Sequence, residues 1–176
     1  MTQLFKNTTN YETFVKRLYF LGILKKIIKF GELYLPEKII LDFGCGLGYL
    51  KQLLKNKNDK VINYDIIKEL SEVSHWSDKY FNVLVANEVF YTFDEEELTR
   101  LIFELKKFNP NLIFIVGISK QSWLNKLGSK LFNEPDSHLG TKITPKKEIE
   151  ILKQHLKVLK KTSKFGLVKI YLLEFI

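Results

Sequence analysis

Lys38-Ile39-Ile40-Leu41-Asp42-Phe43-Gly44-Cys45-Gly46-Leu47-Gly48-Tyr49-Leu50 is the stretch on which the reading of this chain turns. A short apolar run stops at three alternating glycines, and helical spacing resumes through Tyr49, Leu50, Leu53 and Leu54. That pattern is a buried strand, a sharp turn and a helix. Glycines at such a turn let the backbone reverse tightly and let a ligand come close, and the amides that open the next helix point into the same space. A plain tight turn is the alternative, but it needs one glycine and not three. A dinucleotide fingerprint, G-x-G-x-x-G, would put its third glycine where Tyr49 stands. A nucleotide P-loop requires G-K-[ST], which is absent.

Outward from this turn, strands and helices alternate. Upstream, Asn10 is placed to cap a helix carrying Tyr11, Phe14, Val15, Leu18 and Leu21. A second amphipathic piece, Ile23 to Phe30, ends near Gly31, and Pro36 closes the segment. Downstream, Val61–Asp65, Asn82–Asn87 and Asn111–Val116 read as strands. Asp94 caps a helix with Glu95, Glu96 and Glu97 in its first turn and Lys106 and Lys107 in its last. Thr144 and Pro145 sit at N-cap and N1 of a last helix, whose apolar face is Ile149, Leu152, Leu156 and Leu159. Val168–Ile176 is strand-like, and two strands in succession at this end predict an antiparallel hairpin. The expected architecture is α/β: a mostly parallel sheet with helices on both faces and N-terminal helices before it.

Composition bounds the function. A chain of 176 residues suits one domain. Lys and Arg number 28 against 20 Asp and Glu, a formal net charge of +8. Only Arg17 and Arg100 are arginine, whereas phosphate and base recognition favours the bidentate guanidinium. The charge therefore reads first as solvated surface, with a nucleic-acid patch as the less favoured reading. One cysteine excludes an internal disulfide and a Cys-based zinc cluster within the chain, and no metal site is expected. No apolar run approaches the roughly 18 residues of a membrane span. The start, Met1 to Asn7, lacks a signal-peptide core. A soluble, cytoplasmic protein is the expectation.

Asp42-Phe43-Gly44-Cys45-Gly46-Leu47-Gly48 resembles motif I, D/E-x-G-x-G-x-G, of the class I S-adenosylmethionine-dependent methyltransferases. Asp65 ends the following strand, where that family has its ribose-binding acid, and a carboxylate suits two neighbouring hydroxyls because it accepts from both. Val83–Tyr91 and the late Thr144–Pro145 helix also resemble the family, so the likeness runs from about Lys38 onward. The resemblance implies a Rossmann-like core over residues 37–176 behind an N-terminal helical cap, 1–36, in one methyltransferase domain. It implies S-adenosylmethionine as cofactor and S-adenosylhomocysteine as product. By it, Asp42 orients the cofactor's amino group; Gly44, Cys45, Gly46 and Gly48 face its methionine and ribose parts. Asp65 holds the ribose, Ile66 covers the adenine, and Asn87 and Glu88 border the methyl end. Ser77 or Asp78 would contact the adenine amine, and Trp76 either stacks on the base or belongs to the core. Three departures stand out: 65–82 is short for a full helix and third strand, Asn82 replaces a common Asp, and the adenine contact is not clear-cut.

Methyl transfer is an in-line displacement, so alignment and exclusion of water matter more than a catalytic triad. The [DN]-P-P-[YF] motif of many base and glutamine methylators is absent, with Asn87-Glu88-Val89-Phe90 in its place. Acceptor-side residues would come from the N-terminal helices and 119–142, with Tyr11, Tyr91 and His138 as candidate pocket residues, Tyr91 and His138 as the catalytic candidates, and His138 as a base because imidazole titrates near neutral pH. Trp123, Leu124, Leu127, Leu131 and Phe132 interleave with Lys126 and Lys130, as a helix packed on the domain, a lid for an amphipathic or anionic acceptor, or a membrane-surface helix. The leading expectation is methylation of a small molecule. The alternatives are methylation of RNA or protein, and a cofactor-binding partner subunit without catalysis.

Overall fold

The computed structural model describes residues 14–119 and 141–176. Six strands form one sheet in the order β2-β1-β3-β4-β6-β5: β1 (Ile40–Phe43), β2 (Val61–Tyr64), β3 (Val83–Asn87), β4 (Ile113–Ser119), β5 (Leu156–Lys164) and β6 (Val168–Phe175). The first four are mutually parallel where they pair, and the β5–β6 hairpin closes the sheet antiparallel to β4. Four helices flank it among the described residues: α1 (Phe14–Phe30), α2 (Tyr49–Leu54), α3 (Glu95–Phe108) and α4 (Pro145–His155).

Strand side chains alternate between two buried faces, which is why these strands read as unbroken apolar runs. Leu41, Ile62, Leu84, Ala86, Phe114 and Val116 pack with Leu98, Ile102 and Leu105 of α3 and Ile151 and Leu152 of α4. Ile40, Val61, Val83, Val85 and Ile115 pack with Ile23, Leu24, Ile27 and Ile28 of α1 and Leu50 and Leu54 of α2. Each fully buried aliphatic side chain contributes about 1.5–3 kcal/mol. The predicted Asp94 cap opens α3, and Glu97 completes a capping box: Glu97 N donates to Asp94 Oδ1 at 2.8 Å, and Asp94 N to Glu97 Oε2 at 2.9 Å.

Three boundaries differ from the sequence reading. The described N-terminal residues form one helix, not two, with Gly22 in its interior. A Cβ at Gly22 would meet the Phe165 ring at 3.0 Å, so the glycine makes room for the β5–β6 turn. The last helix stops at His155, and Leu156 and Leu159 belong to β5. Their spacing fits both a helix and a strand, and pairing with β6 decides it, from Leu156↔Phe175 to Lys164↔Val168. β4 runs on to Ser119 because Gly117, Ile118 and Ser119 pair with Ile170, Lys169 and Val168. Exposed Lys157, Lys160 and Lys161 line β5, the outermost strand, and exposed Lys169 follows on β6.

Between Asp65 and Asn82 there is no strand, only two 3-10 turns, Lys68–Leu70 and Trp76–Asp78. Glu72 N instead donates to Asn63 O at 2.9 Å, and Lys51 Nζ pairs with Glu72 at 2.6 Å, which covers the outer edge of β2. Trp76 is core: it is buried edge-on against Phe81 and Phe108.

Asn82 has a structural reason. Its Oδ1 accepts from Ile39 N and its Nδ2 donates to Glu37 O, both at 2.8 Å, tying the entrance of β1 to that of β3. An Asp would turn an acceptor toward that carbonyl. Asn82→Asp is expected to cost ~1–2 kcal/mol and to lower Tm by about 2–8 °C in a thermal melt; an unchanged Tm contradicts this account.

Candidate functional site

The chain leaves β1 toward β2 and then returns past β1 to β3, so the winding reverses between β1 and β3. Parallel sheets open a crevice at such a switch point, beyond the carboxyl ends of the strands. The glycine loop and Asp65 both lie there. Gly44 N and Cys45 N donate to Tyr64 O at 2.8 and 3.1 Å. Gly46 N donates to Asp65 Oδ2 and Ile67 N to Asp65 Oδ1, both at 3.0 Å. The Asp65 carboxylate is thereby held between two loops with about half of its roughly four lone-pair positions still open.

The loop glycines differ in what their missing side chains serve. Gly44, Gly46 and Gly48 all have left-handed backbones, φ 73, 52 and 67. A Cβ on Gly44 would meet Val89 Cγ2 at 2.5 Å, and one on Gly48 would meet Asn63 Nδ2 at 2.6 Å. In front of Gly46 there is nothing within 4 Å. Ile66, which follows Asp65 in the chain, is 88% exposed.

Asp42 ends β1 at 6% exposure. Burial, and then the charge of Asp65, push its carboxyl up to about 7. In the unfolded chain it ionises near 4, so between pH 4 and 7 the folded state holds the extra proton and loses stability as pH rises. Urea unfolding of the ligand-free protein is expected to show a loss on the order of 2–4 kcal/mol across that window, beyond the loss in Asp42→Asn. Equal slopes in the two proteins would contradict the assignment. Cys45 is an inert tie: burial, then Asp42 and Asp65, push its thiol well up, and Sγ donates to Leu70 O at 3.4 Å.

At the end of β3, Glu88 takes a left-handed backbone, φ 57. Its N–H donates to Gly117 O at 2.8 Å, and its Oε1 accepts from Ser119 Oγ at 3.0 Å. Burial raises its acid, which the Ser119 hydrogen bond partly offsets. Asn87 Oδ1 is buried without a hydrogen bond and sits where any side chain at Gly117 would collide. Tyr91 stands in the next turn, Phe90–Thr92, and burial, then Glu88 and Glu148, raise its phenol. Ser77 is exposed, with Oγ 2.8 Å from His75 Nδ1, and Asp78 Oδ2 accepts from His75 N at 2.8 Å. Asn10, Tyr11, His138 and the Trp123–Phe132 stretch lie outside the described residues.

Sequence reasoning placed Ser119 only as the start of the acceptor-side stretch, without its partner, and missed Glu148. Ser119 is 31 residues from its partner Glu88, and no local pattern signals such a pair. Glu148 looks like an ordinary first-turn helix acid, yet it is buried. Among the described residues, no cluster of three metal-ligating side chains forms, and no helix is long and apolar enough to cross a membrane.

The strand order and the placed loop define the fold of the class I S-adenosylmethionine-dependent methyltransferases. The PH0226 protein of Pyrococcus horikoshii OT3 superposes with a TM-score of 0.72 at 14% identity, over 100% of both chains. The N-methyltransferase NodS of Bradyrhizobium japonicum WM9, in complex with S-adenosylhomocysteine, gives 0.67 at 13% identity, over 98% of this chain and 96% of that one. Magnesium protoporphyrin IX methyltransferase of Synechocystis PCC 6803, also with S-adenosylhomocysteine bound, gives 0.58 at 14% identity, over 92% and 87%. No protein-family model and no curated protein matches the chain by sequence.

Proposed function

We propose that this chain is a methyltransferase that takes S-adenosylmethionine in the crevice between the glycine loop and Asp65 and methylates a small molecule. One observation carries the reading: empty space in front of Gly46, bordered by a carboxylate with lone pairs to spare. Asp65 would grip the ribose hydroxyls, and exposed Ile66 would lie against the adenine. Asp42, ionised by a cationic neighbour, would hold the amino group. Asn87 and Glu88 would border the methyl end. Cys45 and Gly44 shape the loop, and Ser77 stands on the adenine side. The bound cofactor supplies a methyl carbon activated by its sulfonium. The residues contribute alignment, and their acids match the cofactor's positive charge.

The small-molecule acceptor is supported by structural neighbours whose names state such reactions, including mitomycin 7-O-methyltransferase at a TM-score of 0.56. Titration calorimetry with S-adenosylhomocysteine tests the reading. Heat of binding and a thermal shift are expected; neither signal at millimolar ligand sinks it. The absent third strand favours one second reading, a cofactor-binding subunit without catalysis, which turnover by the isolated chain would end.

A further inference from the structure

Ser119 is the last residue of β4, and its hydroxyl donates to Glu88 Oε1 at 3.0 Å. The pair joins the carboxyl ends of two neighbouring strands, β3 and β4. The main chain is joined there as well, since Glu88 N donates to Gly117 O at 2.8 Å. Gly117 and Ser119 stand two apart on one strand and so share a face of the sheet. Glu88 is thereby held by its backbone and by its side chain from the same strand.

This arrangement costs stability. Glu88 has a left-handed backbone, φ 57, which residues other than glycine adopt at a cost. Its side chain is half-buried, and burial raises its acid, with the Ser119 hydrogen bond opposing the rise. A glycine would avoid the first cost and an outward-turned side chain the second. Strain of this kind persists where the surroundings over-determine it, and it clusters at ligand sites. The place agrees. Val89, the next residue, lies against the glycine loop, where a Cβ on Gly44 would meet its Cγ2 at 2.5 Å. Glu88 thus stands one residue from that loop, on the β3–β4 side of the crevice, whereas Asp65 follows β2 on the other side of β1. Half-buried, the side chain keeps contact with solvent. Among the described residues Ser119 is the one hydrogen-bond donor to this carboxylate, which leaves Oε2 for a ligand.

We infer that Ser119 is a positioning residue: it aims Glu88 at the sulfonium end of the bound cofactor, so that the site favours a cationic ligand over a neutral thioether. The inference rests on the methyl-transfer reading above and adds to it the role of Ser119. Without the hydroxyl, a glutamate with its several free torsions turns to water, where its charge is screened. Calorimetry on the full chain compares S-adenosylhomocysteine, neutral at sulfur, with sinefungin, which carries an amine where the sulfonium methyl would stand. In Ser119→Ala the ratio of sinefungin to S-adenosylhomocysteine affinity is expected to fall at least fivefold. Ser119→Cys, similar in shape with a weak donor, provides a second variant and is expected to lower it at least threefold. A residue that only supported the fold would weaken both ligands alike and leave the ratio unchanged. Glu88→Gln, which can still accept from Ser119, is expected to give the same fivefold fall, and adding Ser119→Ala to it less than a twofold further change. An unchanged ratio in Glu88→Gln or in whichever Ser119 variant folds, or a second fivefold fall in the double variant, overturns the inference alone. Failure of S-adenosylhomocysteine to bind the parent chain removes the methyl-transfer reading and the inference with it.

Discussion

Asp65→Ala is expected to cut affinity for S-adenosylhomocysteine at least 100-fold. Two hydroxyl hydrogen bonds to a carboxylate contribute about 1.5–3 kcal/mol each, and each ~1.4 kcal/mol is a factor of ten. The same substitution frees Gly46 N and Ile67 N, which both donate to this side chain. Loop loosening and loss of the sugar grip therefore act together. Asp65→Asn separates them. It keeps an acceptor for one amide and the side-chain volume, and a smaller loss, on the order of tenfold, is expected. Calorimetry on the three proteins, with urea unfolding as the control on folding, gives the ranking. An Ala variant within threefold of the parent would end the claim that this carboxylate holds the ligand.

Filling the space before Gly46 should have a comparable effect on binding and a much smaller one on the fold. A Cβ at Gly46 meets no neighbour within 4 Å, so the main cost of Gly46→Val to folding is the left-handed backbone, roughly 1–2 kcal/mol. The branched side chain then occupies the volume assigned to the nucleoside, and S-adenosylhomocysteine binding is expected to fall below detection. Gly44→Ala provides the contrast. Its Cβ would press on Val89 at 2.5 Å, so it should disturb packing behind the loop and lower Tm more than Gly46→Val does. Retained binding in a folded Val variant would show that the ligand, if any, lies elsewhere.

Much of this architecture was readable because it is written locally. Apolar runs of four to seven residues, the glycine spacing in 44–48 and the Asp94–Glu97 capping box each express their structure within a few positions. The shortness of 65–82 likewise foretold the missing strand. What was not readable depends on contacts between distant segments. Gly22 looks like a helix break until Phe165 packs over it, 143 residues later. Leu156 and Leu159 fit a helical stripe until β6 captures them. Ser119 gains its meaning from Glu88, and the burial of Glu148 arises only in the assembled fold. The strands' carboxyl ends converge only in the assembled sheet, so the glycine loop could be anticipated from its motif and what faces it across the crevice could not.

The hairpin at the sheet's margin gives the chain's basicity a purpose of its own. Lys157, Lys160 and Lys161 project from β5, the outermost strand, where bare backbone would otherwise recruit a neighbouring molecule's strand. Part of the chain's lysine content thus serves as insulation against edge-to-edge aggregation.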